Sequence, residues 1–320
     1  MVRVARVGRG AGTRGAGVAR PFPGAALFTV WVPVLLAFAC AVVYGVADYC
    51  GGRATRNASS TVVSLIGQIA SLILVGTIVL IAGTSVPGWH DWAWGGLAGV
   101  ATAVALGSFY HALSHGAMTV VAPITAVTSA AIPIAFGLIT GERPGVLAIF
   151  GMVLGVAAVA LVSGAIGPRH TTTPRVTLLL ALVAGTGFAV IFVALDRTSS
   201  KSGMWPLVAA RIVSISLAAT VVFAGRQRSA AARIPLPALR SESWRLAVIA
   251  GIFDMSANVL YVLAVRRGLL SIVVVVAALY PVSTVCLAFG IDKERASRWQ
   301  FSGMALAVGA LVLVSLGKAG

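Results

Sequence analysis

Charged side chains are scarce in this chain of 320 residues: they make up 10% of it, and only eight residues are acidic. A soluble domain needs about 25% charged residues to cover its surface. Hydrophobic residues account for 59% of the chain. The composition therefore excludes a water-soluble globule of this length and indicates an all-α integral membrane protein, for which lipid is the solvent.

Groups that build metal and cofactor sites are also few. The three cysteines, Cys40, Cys50 and Cys286, lie inside apolar runs and have no ligand-like spacing. We therefore expect no disulfide, no metal site and no cofactor. The sequence has no Walker phosphate-binding motif, no nucleophile–base pair and no acidic cluster for Mg²⁺. These absences disfavour an ATP-driven pump and a membrane-embedded enzyme.

Positive charge is the one ionic feature in excess, with a formal net charge of +16. All but one of the 24 Lys and Arg residues lie in the N-terminal tail, between apolar runs or at the very start of a run. Because no basic helix or aromatic platform could hold a base, we expect no nucleic-acid partner. The cations instead indicate membrane topology and contacts with the anionic headgroups of a lipid bilayer.

Residues 1–30 differ from the rest, since they contain five arginines, no acid and many small residues. We expect a disordered basic tail there. The alternative is a targeting peptide with the following run as its apolar region. That run is too long for a signal peptide, and it carries Asp48 and Tyr49 where small residues would mark a cleavage site.

Apolar runs long enough to cross a bilayer, about 20 residues each, recur ten times along the chain. The connections between them are short, so no soluble domain is inserted. We place the predicted spans at 31–52, 59–82, 93–114, 118–140, 146–166, 175–196, 204–224, 244–264, 268–290 and 299–317.

An internal repeat divides these spans into two sets of five. Residues 116–164 align with residues 268–316 at a constant offset of 152. Because each unit has an odd number of spans, the second unit enters the membrane from the opposite side. Inverted repeats of this kind are common in secondary transporters, whose substrate site lies near mid-membrane between the halves. The matched positions are Gly116 with Gly268, Glu142-Arg143 with Glu294-Arg295, Gly151-Met152 with Gly303-Met304, and Val162-Ser163 with Val314-Ser315.

The orientation in the membrane follows less directly from the sequence. Lys and Arg residues are nearly balanced between the two sides of the predicted topology, so the positive-inside rule gives no strong bias. We favour a cytoplasmic N-terminus because the flank of the first span is strongly basic, and a dual topology stays open.

Three stretches near the C-terminus carry a family pattern: 277–281 (AALYP), 290–295 (GIDKER) and 299–304 (WQFSGM). This pattern resembles the EamA-type unit of the drug/metabolite transporter superfamily. The first half is similar at Gly141-Glu142-Arg143 and Gly151, and it departs from the pattern where Ser129 stands opposite Pro281.

The resemblance implies ten transmembrane helices in two inverted EamA repeats, at 31–166 and 175–317, with both termini cytoplasmic and transport without ATP. It also implies a multi-pass protein of the cell membrane, acting as a monomer or homodimer. Relatives handle amino acids, amines, drugs, nucleotide sugars and other metabolites, mostly by export or exchange.

Three charged residues stand out because they lie well inside predicted spans and away from the span starts and ends: Asp48, Arg211 and Asp254. A charge at the bilayer centre costs about 2.5–3.5 kcal/mol on insertion scales, so such residues face a partner or a wet cavity. Arg211 and Asp254 have similar depths, which predicts a pair. In one interpretation Asp254 carries a proton and Arg211 binds a substrate carboxylate or phosphate. In the other the pair is structural and fixes helix register.

Asp48 lies one turn after Tyr44, so the two share a face near the end of the first span. As functional residues they would form a gate or a cation contact. The alternative is an interfacial carboxylate that pairs with Arg53 or Arg56.

Neutral and weakly basic residues complete the predicted substrate site. Asn258 lies one turn beyond Asp254, Tyr280 precedes a proline kink, and Gln68 is the first-half counterpart of Arg211. His111 is either a proton-sensitive cavity residue or a polar packing group. A metal site formed with His115 is not expected, because no third ligand is evident. Glu142 and Glu294 are expected to cap or tether helix ends.

The sequence therefore predicts a secondary transporter of a small-molecule substrate, with amino acids and amines as the leading classes and proton coupling as one mechanism. The alternative within the same superfamily is a flippase for a lipid or lipid carrier, which needs a basic headgroup pocket. A non-transporting scaffold is disfavoured, because a scaffold gains little from buried charges.

Overall fold

The computed structural model describes residues 23–55, 58, 60–115, 118–162, 175–228, 241–291 and 298–317. Almost all of these residues are helical. The helices are α1 (Pro23–Thr55), α2 (Ser60–Ala82), α3 (Trp89–His115), α4 (Met118–Ile139), α5 (Val146–Val162), α6 (Arg175–Asp196), α7 (Trp205–Arg228), α8 (Ser241–Val265), α9 (Leu270–Ala277), α10 (Tyr280–Ile291) and α11 (Arg298–Leu316).

Seven candidate membrane spans, each long and apolar enough to cross a bilayer, are found among the described residues. Three further apolar helical segments are shorter and fall within the fourth, fifth and seventh predicted spans: Ile124–Ile139, Val146–Val162 and Trp205–Thr220. The prediction of a multi-pass helical membrane protein is therefore confirmed, whereas the count of ten spans stays a prediction.

The first candidate span begins at Trp31, the start that the sequence predicts, although its helix begins earlier. The helix α1 begins at Pro23, ahead of the expected span start at residue 31. A proline suits the first turn of a helix because the N–H it lacks would have no intrahelical acceptor there. The rest of the basic tail lies outside the described residues, as do Arg56 and Glu294.

The ninth apolar run is broken into two helices, α9 and α10, at the predicted kink before Pro281. Proline has no N–H to continue the helical ladder, and the chain tightens at this point. Leu279 N donates to Val276 O at 3.2 Å, and Val282 N donates to Leu279 O at 2.9 Å. Every residue of α9 is buried. The segment is therefore a short helix inside the protein, joined to α10 by a break.

The two halves of the chain pack into each other. The helix α1 packs against α8, and α3 packs against α6. The contact of α2 with α8 is equivalent to the contact of α7 with α3. The contact of α4 with α6 is equivalent to the contacts of α9 and α10 with α1. Exchanging the first-half helices for their second-half equivalents converts each contact into another contact of the set. The packing therefore follows the internal repeat seen in the sequence.

Contacts between α5 and α11 give the relative direction of the two units. Gly151 faces Val314, and Gly303 faces Val162. The offset of 152 residues converts the first contact into the second, and the order of the contacts shows that the two helices run antiparallel. Identical surfaces that meet in this way are related by a two-fold axis, which supports an inverted repeat.

The helices α2 and α8 approach closely at the level of the predicted site. A side chain on Gly251 would collide with the backbone of Gly67, and Ser71 Oγ donates to Gly251 O at 2.7 Å. Small residues allow such an approach where lipid supplies no hydrophobic drive. Because Gln68 and Asp254 flank this contact, the packing brings both to one depth.

We expect Gly251→Ala to destabilise the protein, because the new methyl group meets backbone that cannot move aside, a cost of about 1–3 kcal/mol. The matched control is Gly76→Ala on α2, where an added Cβ meets nothing within 4 Å. The measurement is thermal unfolding of the purified protein in detergent. Equal melting temperatures for the two variants would contradict the close approach of α2 and α8.

Candidate functional site

A buried ion pair joins α7 to α8. Arg211 Nη2 contacts Asp254 Oδ2, so the two side chains predicted to pair from their depths do so. The Arg211 side chain is 10% exposed and that of Asp254 is 37% exposed. The carboxylate therefore keeps open space on one side, while the guanidinium is enclosed by protein.

Asp48 on α1 supplies a second carboxylate to the same region. It lies within Coulombic range of Asp254 and its residue surface is exposed. Within the described part of the chain, no ion pair or hydrogen bond of the Asp48 carboxylate is found. Arg53, one of its two candidate partners, instead donates to Tyr49 Oη at 3.2 Å and lies 3.9 Å from a Glu242 oxygen.

Two tyrosine rings border these carboxylates. The ring centroids of Tyr44 and Tyr280 are 6.2 Å apart at an interplanar angle of 59°. Tyr280 lies within Coulombic range of Asp48, and Tyr44 lies within range of both Asp254 and Arg211. The break between α9 and α10 therefore places the first residue of α10 in the site.

Gln68 on α2 reaches the site through a residue that sequence reasoning missed. Ser214 Oγ on α7 donates to Gln68 Oε1 at 2.6 Å and lies 3.2 Å from the carbonyl oxygen of Arg211. Ser214 follows Arg211 by nearly one helical turn, so its spacing was a signal that could have identified it. We call Tyr44, Asp48, Gln68, Arg211, Ser214, Asp254 and Tyr280 the polar cluster.

Asn258 lies next to the polar cluster, one turn after Asp254 on α8. Its Nδ2 donates to the backbone oxygen of Asp254 at 2.8 Å, and the residue is buried. Tyr261, one turn further, donates its hydroxyl to Phe192 O at 3.0 Å in the core. The polar side chains along α8 therefore extend from the polar cluster, at Asp254, to the packed core, at Tyr261.

The predicted site residue His111 lies away from the polar cluster. Gly99 on α3 packs against Ala210, the neighbour of Arg211. His111 is about 18 Å further along α3, at 1.5 Å per residue, and its side chain is exposed. Its role stays a prediction. Among the described residues no group of His, Cys, Asp and Glu is suited to a metal ion.

The polar cluster contains two carboxyl groups, Asp48 and Asp254, and one guanidinium, Arg211. The guanidinium is engaged by Asp254, and no cationic side chain pairs with the Asp48 carboxyl group among the described residues. Aromatic faces and a carboxylate together attract cations, through the ring quadrupole and through charge. The arrangement is chemically suited to an ammonium group or a proton.

We expect the effects of Arg211→Gln and Asp254→Asn on stability to be strongly non-additive. Removing one partner leaves the other charge buried, which costs about 3–5 kcal/mol for a fully buried pair and less here because Asp254 is partly exposed. The double variant removes both charges and should be more stable than Arg211→Gln alone. The measurement is a double-mutant cycle on thermal unfolding, and simple additivity would show that the contact carries no coupling energy.

Comparisons with known proteins agree with this architecture. A search of curated proteins finds no significant match. The chain is similar to a solved structure described only as the crystal structure of a protein, with a TM-score of 0.72 and 17% sequence identity. The match covers 89% of this chain and 98% of the other. At this identity, the likeness shows a shared fold.

The family comparison identifies both halves. The model of the EamA-like transporter family matches residues 31–164 and again residues 175–316. The two matches cover most of the chain and fall on the two units of the internal repeat. This protein belongs to the EamA-like transporter family of membrane transporters.

Proposed function

We propose that this protein is a secondary transporter that moves small amine-bearing metabolites across the cell membrane. It spans the bilayer ten times as two inverted repeats and works by alternating access. The observation that carries the proposal is the polar cluster: ionisable side chains from both halves lie near one another in a bundle of apolar helices. Such groups are costly in lipid and are kept where they contact a substrate or an ion.

The charge of the polar cluster favours an amine over an anionic solute. Asp254 engages Arg211, so the guanidinium is less available to a substrate carboxylate than an unpaired arginine would be. Asp48 has no such partner within the described part of the chain. An ammonium group beside Asp48 would gain a charge-assisted hydrogen bond and the faces of Tyr44 and Tyr280.

Asp254 is the proposed site of proton coupling. Its side chain is partly exposed, whereas that of Arg211 is enclosed. A proton on Asp254 would release Arg211 and change the net charge of the polar cluster by one unit. Substrate and proton would then each change the net charge of the polar cluster. Binding of one would therefore affect binding of the other, which is the basis of coupled transport.

We expect purified protein in liposomes to take up radiolabelled tyramine or putrescine faster than neutral amino acids or nucleosides. Asp48→Asn should weaken apparent affinity for the amine by about ten- to a hundredfold, the loss expected for one hydrogen bond to a charged group. Glu242→Gln is the matched control, because Glu242 is an exposed carboxylate at the start of α8. Amine uptake that is the same for Asp48→Asn and Glu242→Gln would contradict the proposal that Asp48 binds the amine.

Coupling is tested separately with a pH gradient across the same liposomes. We expect the gradient to drive amine accumulation in the wild-type protein. Asp254→Asn should abolish that accumulation and still permit exchange of amine for amine, because exchange needs no net proton movement. Accumulation that persists in Asp254→Asn would show that another group carries the proton.

A further inference from the structure

The turn after α4 fixes the position of one glutamate. Gly141 adopts φ of 102°, Glu142 N donates to Gly137 O at 2.9 Å, and Gly141 N donates to Leu138 O at 3.3 Å. These two bonds form a Schellman motif, in which a left-handed glycine ends the helix. Glu142 is the residue that follows the glycine, so the motif sets the direction in which it leaves α4.

The lack of a side chain at Gly137 leaves room for the Glu142 carboxylate. A Cβ at Gly137 would collide with the carboxyl group. The Glu142 side chain therefore folds back over the last turn of α4 and is half-buried. From there it reaches the other half of the protein.

Both carboxylate oxygens of Glu142 accept hydrogen bonds from the start of α9. Leu270 N donates to Oε1 at 2.6 Å, and Ser271 N donates to Oε2 at 3.0 Å. The first N–H groups of a helix lack intrahelical acceptors and carry partial positive charge, so a carboxylate binds them well. The contact joins the first half of the chain to the second.

This contact is connected to the polar cluster through the short buried helix α9. Every residue of α9 is buried, and the break after it leads directly to Tyr280 at the start of α10. Releasing the start of α9 would therefore let this short helix move relative to α10. Such a movement would act on Tyr280 and, through it, on the surroundings of Asp48.

Two further contacts between the halves lie on the same face. Asp91 Oδ1 accepts from Ser199 N at 2.7 Å, and the guanidinium carbon of Arg197 lies 4.7 Å from the centre of the Phe136 ring. Phe136 is in the last turn of α4, beside Glu142. Contacts of both kinds must open when the halves separate on this face.

We propose that Glu142 is the latch that holds this face of the transporter closed, as a positioning residue whose bonds to α9 must break before the site opens there. This inference rests on the proposed function, because a latch has a role only in a carrier that alternates. Glu142→Gln keeps the size of the side chain but loses the charge and one of the two acceptors. It therefore shifts the population towards the state open on this face.

The first test is hydrogen–deuterium exchange of the wild-type protein and Glu142→Gln, read by mass spectrometry on peptides that cover α9. We expect α9 to exchange about tenfold faster in Glu142→Gln, because exchange reports local opening. Peptides from α5 and α11 should be unchanged. Glu242→Gln, an exposed carboxylate, is the control and should match the wild type throughout.

The second test separates a latch from a merely structural cap. Ser271→Cys is a conservative reporter, since Ser271 is fully buried at the start of α9. A membrane-impermeant maleimide is applied to each face of sealed vesicles, and the modified peptide is quantified. In Glu142→Gln, labelling at position 271 should rise about tenfold from the face that carries Glu142, as expected for a shifted population, and should not change from the other face.

Two results would overturn the latch. One is exchange and labelling in Glu142→Gln that match Glu242→Gln. The other is faster exchange in α5 and α11 as well as α9, together with labelling that rises from both faces, which would indicate general destabilisation. Neither readout uses a transported solute. Failure of amine uptake in the wild-type protein would therefore count against the proposed function and not against the latch.

Discussion

The cost of holding charge inside a lipid-dissolved protein governs this structure. Arg211 and Asp254 sit in helices that otherwise present apolar side chains, and each satisfies the other. Two such groups can meet only if α7 and α8 are held at a fixed depth relative to each other. Small residues make this possible, because Gly99 and Gly251 let α3 approach α7 and α2 approach α8. Packing and electrostatics therefore specify one arrangement together.

The duplicated architecture creates the interior in which these charges lie. Each helix of one half packs on helices of the other, and α5 meets α11 through equivalent residues. The two halves differ in sequence at the polar cluster. Gln68 stands in the first half where Arg211 stands in the second, and Ser214, which follows Arg211 on α7, donates a hydrogen bond to Gln68. A pseudo-symmetric frame thus contains an asymmetric polar cluster.

Much of this arrangement could be predicted from the sequence, for identifiable reasons. Apolar runs and a constant offset are properties of the chain itself, so the helical class and the two units follow directly. Depth along a helix predicted that Arg211 and Asp254 pair, and Pro281 predicted the break before α10. Contacts across the halves could not be predicted in this way. The contact of Arg53 with Glu242 and the bond of Ser214 to Gln68 depend on how the helices cross, which spacing along one helix does not specify. The sequence predicted that Glu142 caps or tethers a helix end, but not that the helix is α9.

The account depends on a polar cluster that faces a wet pocket between the halves and not the surrounding lipid. A density map of the protein in lipid nanodiscs, determined by electron cryomicroscopy with tyramine present, tests this most directly. The account predicts water or ligand density between Asp48, Tyr44 and Tyr280, with Arg211 and Asp254 enclosed by protein. Lipid acyl chains packed against Arg211 and Asp254 would contradict it.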